Sequence, residues 1–167
     1  MSQNSRKAIA FTGPSDSGKT TLIEKISRQL VSTRKIAIIK NDPSDKAIFD
    51  KEGKDSDRFY KTGASVAVVS PTRTTMFTHN YREIDEIVTM FGDFELLMVE
   101  GLKTLPLPRI AIFRNDIEQS YLSVVKAIAI DNSIDIEKYD IPETITILDL
   151  NDVNAIIEWI DQNSVEI

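Results

Sequence analysis

Eight residues near the start of the chain have the types and the spacing that bind a phosphate chain. Residues 13–20 read G-x-x-x-x-G-K-[ST], a pattern in which glycines let backbone N–H groups surround phosphate while the lysine reaches the terminal phosphates. The threonine after the lysine holds Mg²⁺ through its hydroxyl. The segment therefore predicts a nucleotide-binding loop. The residues assigned to phosphate or metal are Gly13, Ser15, Asp16, Ser17, Gly18, Lys19, Thr20 and Thr21.

The segments on either side of this loop can position it. Residues 8–12 are mostly apolar and predict a short strand, whereas residues 21–30 predict a helix with an apolar side. A strand, a glycine-rich turn and a helix N-terminus together form an anion-binding unit, because the helix dipole adds positive potential at that end. The surroundings of the loop thus support its interpretation as a phosphate site.

Carboxylates that follow predicted strands are the next candidates, because ligands of parallel sheets bind beyond the carboxyl ends of the strands. Glu100 directly follows the apolar run 94–99. It is a candidate to hold the water shell of Mg²⁺ or to polarise the attacking water, and the alternative is a solvated carboxylate at a strand end. Asp42 follows the predicted strand 35–40. It is either a second catalytic carboxylate or part of an Asn-Asp-Pro turn.

Asp131 follows a later predicted strand, residues 125–130. A carboxylate at that place can accept hydrogen bonds from the N1 and N2 groups of guanine, which adenine does not supply. Asp131 also stands at the start of a turn before Ser133. The sequence leaves both interpretations open.

A basic segment follows the second strand and contains Lys46, Lys51, Lys54, Arg58 and Lys61. Part of it, residues 55–62, predicts a short helix. The segment is either a local anion or partner site or the solvated face of a charged helix.

Strands and helices alternate along the rest of the chain. Strands are predicted over residues 8–12, 35–40, 66–70, 94–99, 109–114, 125–130 and 145–148, with a strand over 72–78 that could pair antiparallel. A helix over 84–91 ends at Gly92, and a closing helix starts at Asn151 or Asp152. The pattern predicts an α/β fold of the P-loop NTPase type, with a mainly parallel sheet flanked by helices. We expect a single nucleotide-binding domain over residues 1–167, with residues 1–7 flexible.

Composition excludes several classes of function. The net charge of −6 argues against nucleic acid as a partner, because its sequence-independent binding needs clustered cations. The absence of cysteine excludes disulfides, thiolate metal sites and thiol catalysis. No apolar run approaches the roughly 20 residues of a membrane span, and residues 1–7 lack an apolar signal core. We therefore expect a cytoplasmic protein without a membrane segment.

Several motifs taken together resemble the MobB family of molybdopterin-guanine dinucleotide biosynthesis adapter proteins. The resemblance runs from about residue 8 to residue 131, and the phosphate loop alone would not be specific to this family. The motifs that narrow it are Gly53-Lys54-Asp55-Ser56-Asp57-Arg58, Thr62-Gly63-Ala64, Val99-Glu100-Gly101-Leu102-Lys103 and Pro108-Arg109-Ile110.

The resemblance implies a dimeric GTP-binding protein that uses Mg²⁺ and hydrolyses GTP weakly to GDP and phosphate. It implies as partner the molybdopterin guanylyltransferase, a MobA-type enzyme that joins GMP to molybdopterin, and molybdopterin itself as a further ligand. Lys54, Ser56 and Arg58 would then contact nucleotide or pterin phosphate. The family often has histidines after the second strand, whereas here Asn41 follows Lys40, so no role of those histidines transfers.

Two other functions use the same loop. A small-metabolite kinase would need arginines gathered over the transferred phosphate, and the arginines here are dispersed along the sequence, which favours slow hydrolysis. Alternatively, the nucleotide could act as a switch that orders residues 40–61 for a partner.

Overall fold

A computed structural model describes residues 5–167, and these residues form both strands and helices. The strands are β1 (Lys7–Thr12), β2 (Ile36–Lys40), β3 (Val66–Val69), β4 (Thr74–Phe77), β5 (Leu96–Glu100), β6 (Arg109–Phe113), β7 (Ala127–Ile130), β8 (Thr146–Asp149) and β9 (Val165–Glu166). The α-helices are α1 (Lys19–Leu30), α2 (Asp55–Tyr60), α3 (Ile84–Met90) and α4 (Val153–Asn163). Short 3-10 helices cover Gln119–Val124 and Ile136–Lys138.

Seven strands form one sheet in the order β2-β5-β1-β6-β7-β8, with β9 beside the start of β1. Every pair along this order is parallel, whereas β9 runs antiparallel to β1. The inner strands are apolar runs with nearly every residue buried, as expected for a parallel sheet covered on both faces. The predicted α/β class with a mainly parallel sheet is confirmed.

Two apolar clusters cover the faces of this sheet. On one face, Ile26 of α1 and Ile156 of α4 pack against residues such as Phe11 and Ile112. On the other face, alternate strand residues such as Ile128 pack against the loops and 3-10 helices that follow β6 and β7. The alternation of side chains along each strand therefore determines which residues face α1 and α4 and which face the opposite side of the sheet.

The chain divides into two compact units, one that ends at Asn41 and resumes at Asp93, and a second that spans Asp42–Gly92. The first contains the seven-stranded sheet. The second, which we call the hairpin unit, contains the antiparallel pair β3-β4 together with α2 and α3. Within residues 42–92, all of which are described, no residue in a strand or helix is fully buried. The single domain over 1–167 stays a prediction.

The ends of the elements differ from the predictions for local reasons. Helix α1 begins two residues earlier than predicted, because Gly18 adopts φ +98° and serves as the N-cap. Of the two predicted caps of the closing helix, Asn151 and Asp152, the cap is Asp152, whose Oδ1 accepts a hydrogen bond from the Ala155 amide at 3.0 Å. Of the segment predicted to be flexible, residues 1–4 lie outside the described residues, and Lys7 belongs to β1. Over residues 5–167, no helix is long and apolar enough to cross a membrane.

Candidate nucleotide-binding site

The phosphate loop connects β1 directly to the first turn of α1. Gly13 has φ +137°, and a Cβ atom added there would lie 2.4 Å from the carbonyl oxygen of Ile112, so only glycine fits against the end of β6. Gly18 also requires a positive φ, at +98°. Both glycines therefore set the path that brings the loop back to the free N–H groups of α1.

Lys19 is half-buried and folds over the loop. Its Nζ donates hydrogen bonds to the carbonyl oxygens of Gly13, at 3.0 Å, and Pro14. Burial lowers the pKa of the ammonium, and the charge of Glu100 opposes that shift. The lysine is thus held at the mouth of the loop, where a phosphate oxygen can replace the carbonyls.

Ser17 carries the clearest sign of a ligand in the loop. The residue is 5% exposed, and no hydrogen-bond partner for its Oγ is found within residues 5–167. A buried hydroxyl without a partner costs about 1–3 kcal/mol, which a phosphate oxygen would recover. Ser15, Asp16, Thr20 and Thr21 are exposed on the loop and the first turn of α1. The loop therefore fits the phosphate chain predicted from the sequence.

Glu100 and Lys40 end neighbouring strands and stand opposite each other in the register of β5 and β2. The Lys40 Nζ lies 3.2 and 3.3 Å from the two carboxylate oxygens of Glu100, whose side chain is 13% exposed. Sequence reasoning did not select Lys40. The signal was available, because two charged residues that end adjacent parallel strands must meet at one edge.

Oxygen donors suited to Mg²⁺ are present at this edge. Mg²⁺ takes one or two protein oxygens and keeps several waters, so the hydroxyl of Thr20 and the carboxylate of Glu100 fit the ion by type. No group of three or more His, Cys, Asp or Glu side chains placed to hold a metal occurs in the described part of the chain. Glu100 would exchange the ammonium of Lys40 for a metal-bound water or the ion itself.

Arg109 fixes the segment that follows Glu100. The side chain is 1% exposed and donates to three carbonyl oxygens, those of Gly101 (2.7 Å), Leu102 (3.0 Å) and Leu105 (3.2 Å). Burial lowers the pKa of its guanidinium. From the sequence, Arg109 was selected only as part of a family motif. In the structure its hydrogen bonds hold the loop of residues 101–105, which directly follows Glu100.

Asp131 lies at the predicted strand end, but its oxygens already have partners. Its Oδ1 accepts from the backbone and the hydroxyl of Ser133, at 3.1 and 2.5 Å. Its Oδ2 lies 3.5 Å from the Nε of Arg114. The hydrogen bonds from the Ser133 hydroxyl and amide, with a smaller contribution from the charge of Arg114, keep the pKa of Asp131 below its usual range. The turn interpretation is realised, and guanine would have to share this carboxylate with it.

The remaining predicted site residues belong to the hairpin unit. The carboxylate of Asp42 accepts from the amides of Lys46 and Ala47, at 2.7 and 2.6 Å, which is a turn geometry. Arg58 is 73% exposed and lies 4.0 Å from Asp55. Lys54 is also exposed, while Ser56 is half-buried. The predicted site residues therefore divide between the two units. The phosphate loop, Glu100 and Asp131 belong to the unit with the seven-stranded sheet, whereas the hairpin unit contains Asp42, Lys54, Ser56 and Arg58.

The fold and the loop define a P-loop NTPase-like protein, a class that binds nucleotides. A family model described as "Molybdopterin guanine dinucleotide synthesis protein B" (MobB) matches residues 8–132, and the chain belongs to this family. The chain is 30% identical to the molybdopterin-guanine dinucleotide biosynthesis adapter protein of Haemophilus influenzae over 162 residues. This alignment covers 92% of this chain and 86% of that protein. The resemblance predicted from the motifs is confirmed.

Solved structures support the fold independently of sequence. The Bacillus subtilis MobB structure superposes with a TM-score of 0.74 at 22% identity, covering 94% of this chain and 98% of that one. The hydrogenase maturation factor HypB of Archaeoglobus fulgidus gives a TM-score of 0.53 at 22% identity and covers 93% and 86% of the two chains. At such identities, the likeness concerns the fold.

Proposed function

We propose that this chain is a cytoplasmic GTP-binding accessory protein that assists the attachment of GMP to molybdopterin. Its family membership and the adapter named in Haemophilus influenzae support the pathway. The observation that carries nucleotide binding is the loop itself, in which Ser17 Oγ has no partner among the described residues and Lys19 Nζ is held only by loop carbonyls among the hydrogen bonds found there. Both groups are poised for an anion.

In this proposal the loop amides, Ser17 and Lys19 bind the β- and γ-phosphates. Thr20 and Glu100 would hold Mg²⁺, which neutralises charge that develops on the phosphates during hydrolysis. Water attacks the γ-phosphorus, the bond to the β–γ bridging oxygen breaks, and GDP and phosphate are released. We expect this hydrolysis to be slow, so that the GTP-bound and GDP-bound forms are two distinct states of the protein.

The proposed partner is a MobA-type molybdopterin guanylyltransferase, and the proposed assembly is a homodimer. Lys54, Ser56 and Arg58 of the hairpin unit are the candidates to meet a nucleotide or pterin phosphate. Arg58 is suited to this because its side chain is 73% exposed and its nearest carboxylate is 4.0 Å away.

Calorimetry with GTP and ATP, each with and without Mg²⁺, tests the nucleotide assignment. We expect GTP to bind more tightly than ATP and Lys19→Ala to weaken GTP binding at least a hundredfold. Lys25→Ala, which removes an exposed lysine from the same helix, is the matched control and should bind as the wild type does. Equal affinity of wild type and Lys19→Ala for GTP would remove the loop from the site.

The pathway assignment needs a second measurement. We expect the wild-type chain to raise the rate at which a MobA-type enzyme attaches GMP to molybdopterin, and Lys19→Ala to lose that effect. If the rate is the same with and without the chain, the accessory role is wrong even where GTP binds.

A further inference from the structure

Residues 101–108 connect β5 to β6, and their backbone is held next to the phosphate loop. The amide of Gly101 donates to the carbonyl oxygen of Phe11 at 2.9 Å, two residues before the phosphate loop begins. The buried guanidinium of Arg109 bonds to carbonyl oxygens on both sides of Lys103 in the sequence. The backbone around Lys103 is therefore fixed, whereas the residue itself is exposed.

Lys103 is one of three ammonium groups that act on the same edge of the sheet. Burial is the main cause that lowers the pKa of Lys19, and the charges of Lys40 and Lys103 lower it further. Lys19 has the loop carbonyls as acceptors, and Lys40 has both carboxylate oxygens of Glu100. In contrast, no hydrogen bond or ion pair of the Lys103 ammonium is found within residues 5–167.

The ammonium of Lys103 rests on an aromatic ring instead. Its Nζ lies 3.7 Å from the centre of the ring of Tyr121, a residue of the 3-10 helix Gln119–Val124. That ring packs edge-on against Phe113 of β6, with 5.7 Å between the ring centroids. A cation–π contact of an exposed lysine is weaker than a charge-assisted hydrogen bond to a phosphate oxygen. A phosphate within reach of Lys103 would therefore draw the ammonium off the ring.

The position of Lys103 relates it to the terminal phosphate of a bound nucleotide. The lysine of a phosphate loop, here Lys19, reaches the terminal phosphates, and Lys103 is near enough for its charge to act on Lys19. Lys103 also follows Glu100 by three residues, and Glu100 is the carboxylate that would face the metal-bound water. Both relations place Lys103 on the γ-phosphate side of the loop.

We propose that Lys103 is a further phosphate-binding residue, which donates to the γ-phosphate of GTP and rests on Tyr121 when no γ-phosphate is bound. The inference rests on the proposed nucleotide-binding function. Lys103 then discriminates GTP from GDP, because only GTP carries the oxygens that compete with the ring. Tyr121 is a positioning residue, since it holds the ammonium near the phosphate loop without contacting the nucleotide.

Calorimetry of the full chain with GTP and with GDP, each with Mg²⁺, tests the assignment. We expect Lys103→Met, which removes the charge but keeps an unbranched side chain, to weaken GTP binding about tenfold and to leave GDP binding within about twofold of wild type. Lys103→Arg keeps the charge and should bind GTP within about threefold of wild type. Lys126→Met makes the same change at an exposed lysine that directly precedes β7, and this control should bind both nucleotides as the wild type does.

The resting position of Lys103 has a spectroscopic signature, because an aromatic face shifts the NMR resonances of protons above it upfield. With isotope-labelled lysine, and with Lys103→Arg to assign the signal, we expect upfield-shifted Hε resonances in the free and GDP-bound chain. A non-hydrolysable GTP analogue should abolish the shift. Tyr121→Phe keeps the ring and should keep the shift in the free chain, whereas Tyr121→Leu should remove it.

Three results would overturn the proposal. If Lys103→Met weakens GTP and GDP equally, or changes neither, Lys103 does not contact the γ-phosphate. Hε resonances that stay upfield with the GTP analogue would show that Lys103 only fastens residues 101–108 to Tyr121. A wild-type chain that binds neither nucleotide would refute the proposed function as well, whereas the first two results leave that function intact. Thermal melting of each variant separates these results from misfolding.

Discussion

At the scale of single residues, the contact with Lys40 sets the orientation of the Glu100 carboxylate. The ammonium bonds to both oxygens of Glu100, and the lysine side chain is 61% exposed, so the pair contributes little to stability. Its importance lies in orientation, because a carboxylate held by an exposed lysine can be released to water or metal at small cost.

We expect Glu100→Gln to lower GTP hydrolysis at least tenfold, about 1.4 kcal/mol in barrier, and to leave GTP affinity within a few-fold. The amide still accepts a hydrogen bond from Lys40 but carries no charge for a metal-bound water. Single-turnover hydrolysis and calorimetry measure the two quantities, with Glu24→Gln on the exposed side of α1 as control. Unchanged hydrolysis in Glu100→Gln would make Glu100 a structural residue.

The sequence predicted the loop residues because a phosphate cradle has a fixed local spacing. It did not predict the contact of Lys40 with Glu100, because the two residues are distant in sequence and meet only through the pairing of β2 with β5. The position of such residues follows only once the strand order is known. The local sequence pattern is therefore enough to identify the phosphate loop, whereas contacts between residues at the ends of different strands can be identified only from the strand order.

At the scale of elements, α1 and α4 are joined by a charge pair as well as by apolar packing. Arg34, just after α1, forms a two-pronged ion pair with Asp161 of α4, with 2.8 Å between Nη2 and Oδ2. The hydrogen bonds from Arg34 lower the pKa of Asp161. The pair ties the end of the loop-bearing helix to the closing helix.

This pair predicts a pH-dependent part of the stability. A carboxyl whose pKa is lower in the folded state stabilises the fold above its unfolded pKa, about 3.9, and loses that contribution as the pH falls through the folded pKa. Because Asp161 is 41% exposed, we expect Asp161→Asn to cost at most about 1 kcal/mol at pH 7.

Urea unfolding at pH 7 and at successively lower pH measures this difference. The gap between wild type and Asp161→Asn should narrow below pH 3.9, the approximate unfolded value. Glu158→Gln makes the same charge change on the same helix and serves as control. A gap that is constant down to the acid limit would show that the cost comes from packing.

Element types followed from the sequence more readily than their pairing. The runs that predicted strands 66–70 and 72–78 do form β3 and β4, yet this pair makes its own two-stranded sheet. Periodicity reports which faces are apolar and carries no information on which strand lies alongside. Strand β9 was missed because two residues, Val165 and Glu166, are too few to show alternation.

At the scale of the molecule, the hairpin unit leaves large apolar side chains in contact with solvent. Val69 is 73% and Met76 53% exposed. Since Ala67 pairs with Met76, and Val69 lies two residues from Ala67, both side chains are on the same face of the hairpin. Exposed apolar side chains that share a face favour an interface, which agrees with the proposed homodimer.

We expect the chain to sediment as a dimer and the double substitution Val69→Lys with Met76→Lys to make it monomeric, because two charges on that face oppose burial. Analytical ultracentrifugation across a concentration series measures the change. Val31→Lys replaces a comparably exposed valine, at 67%, in the other unit and should stay dimeric. A dimer that survives the double substitution would place the interface elsewhere.

The burial of Arg109 has a kinetic consequence for the loop beside Glu100. The guanidinium of Arg109 is shielded from solvent and donates to three carbonyl oxygens of this loop. Opening any part of residues 101–105 would therefore leave a buried charge without some of its hydrogen-bond acceptors. Local fluctuations that usually release irregular segments are therefore suppressed. The Leu105 amide, which donates to Leu102 at 3.1 Å, should exchange its hydrogen only when the surrounding sheet opens, on the slow timescale of the core.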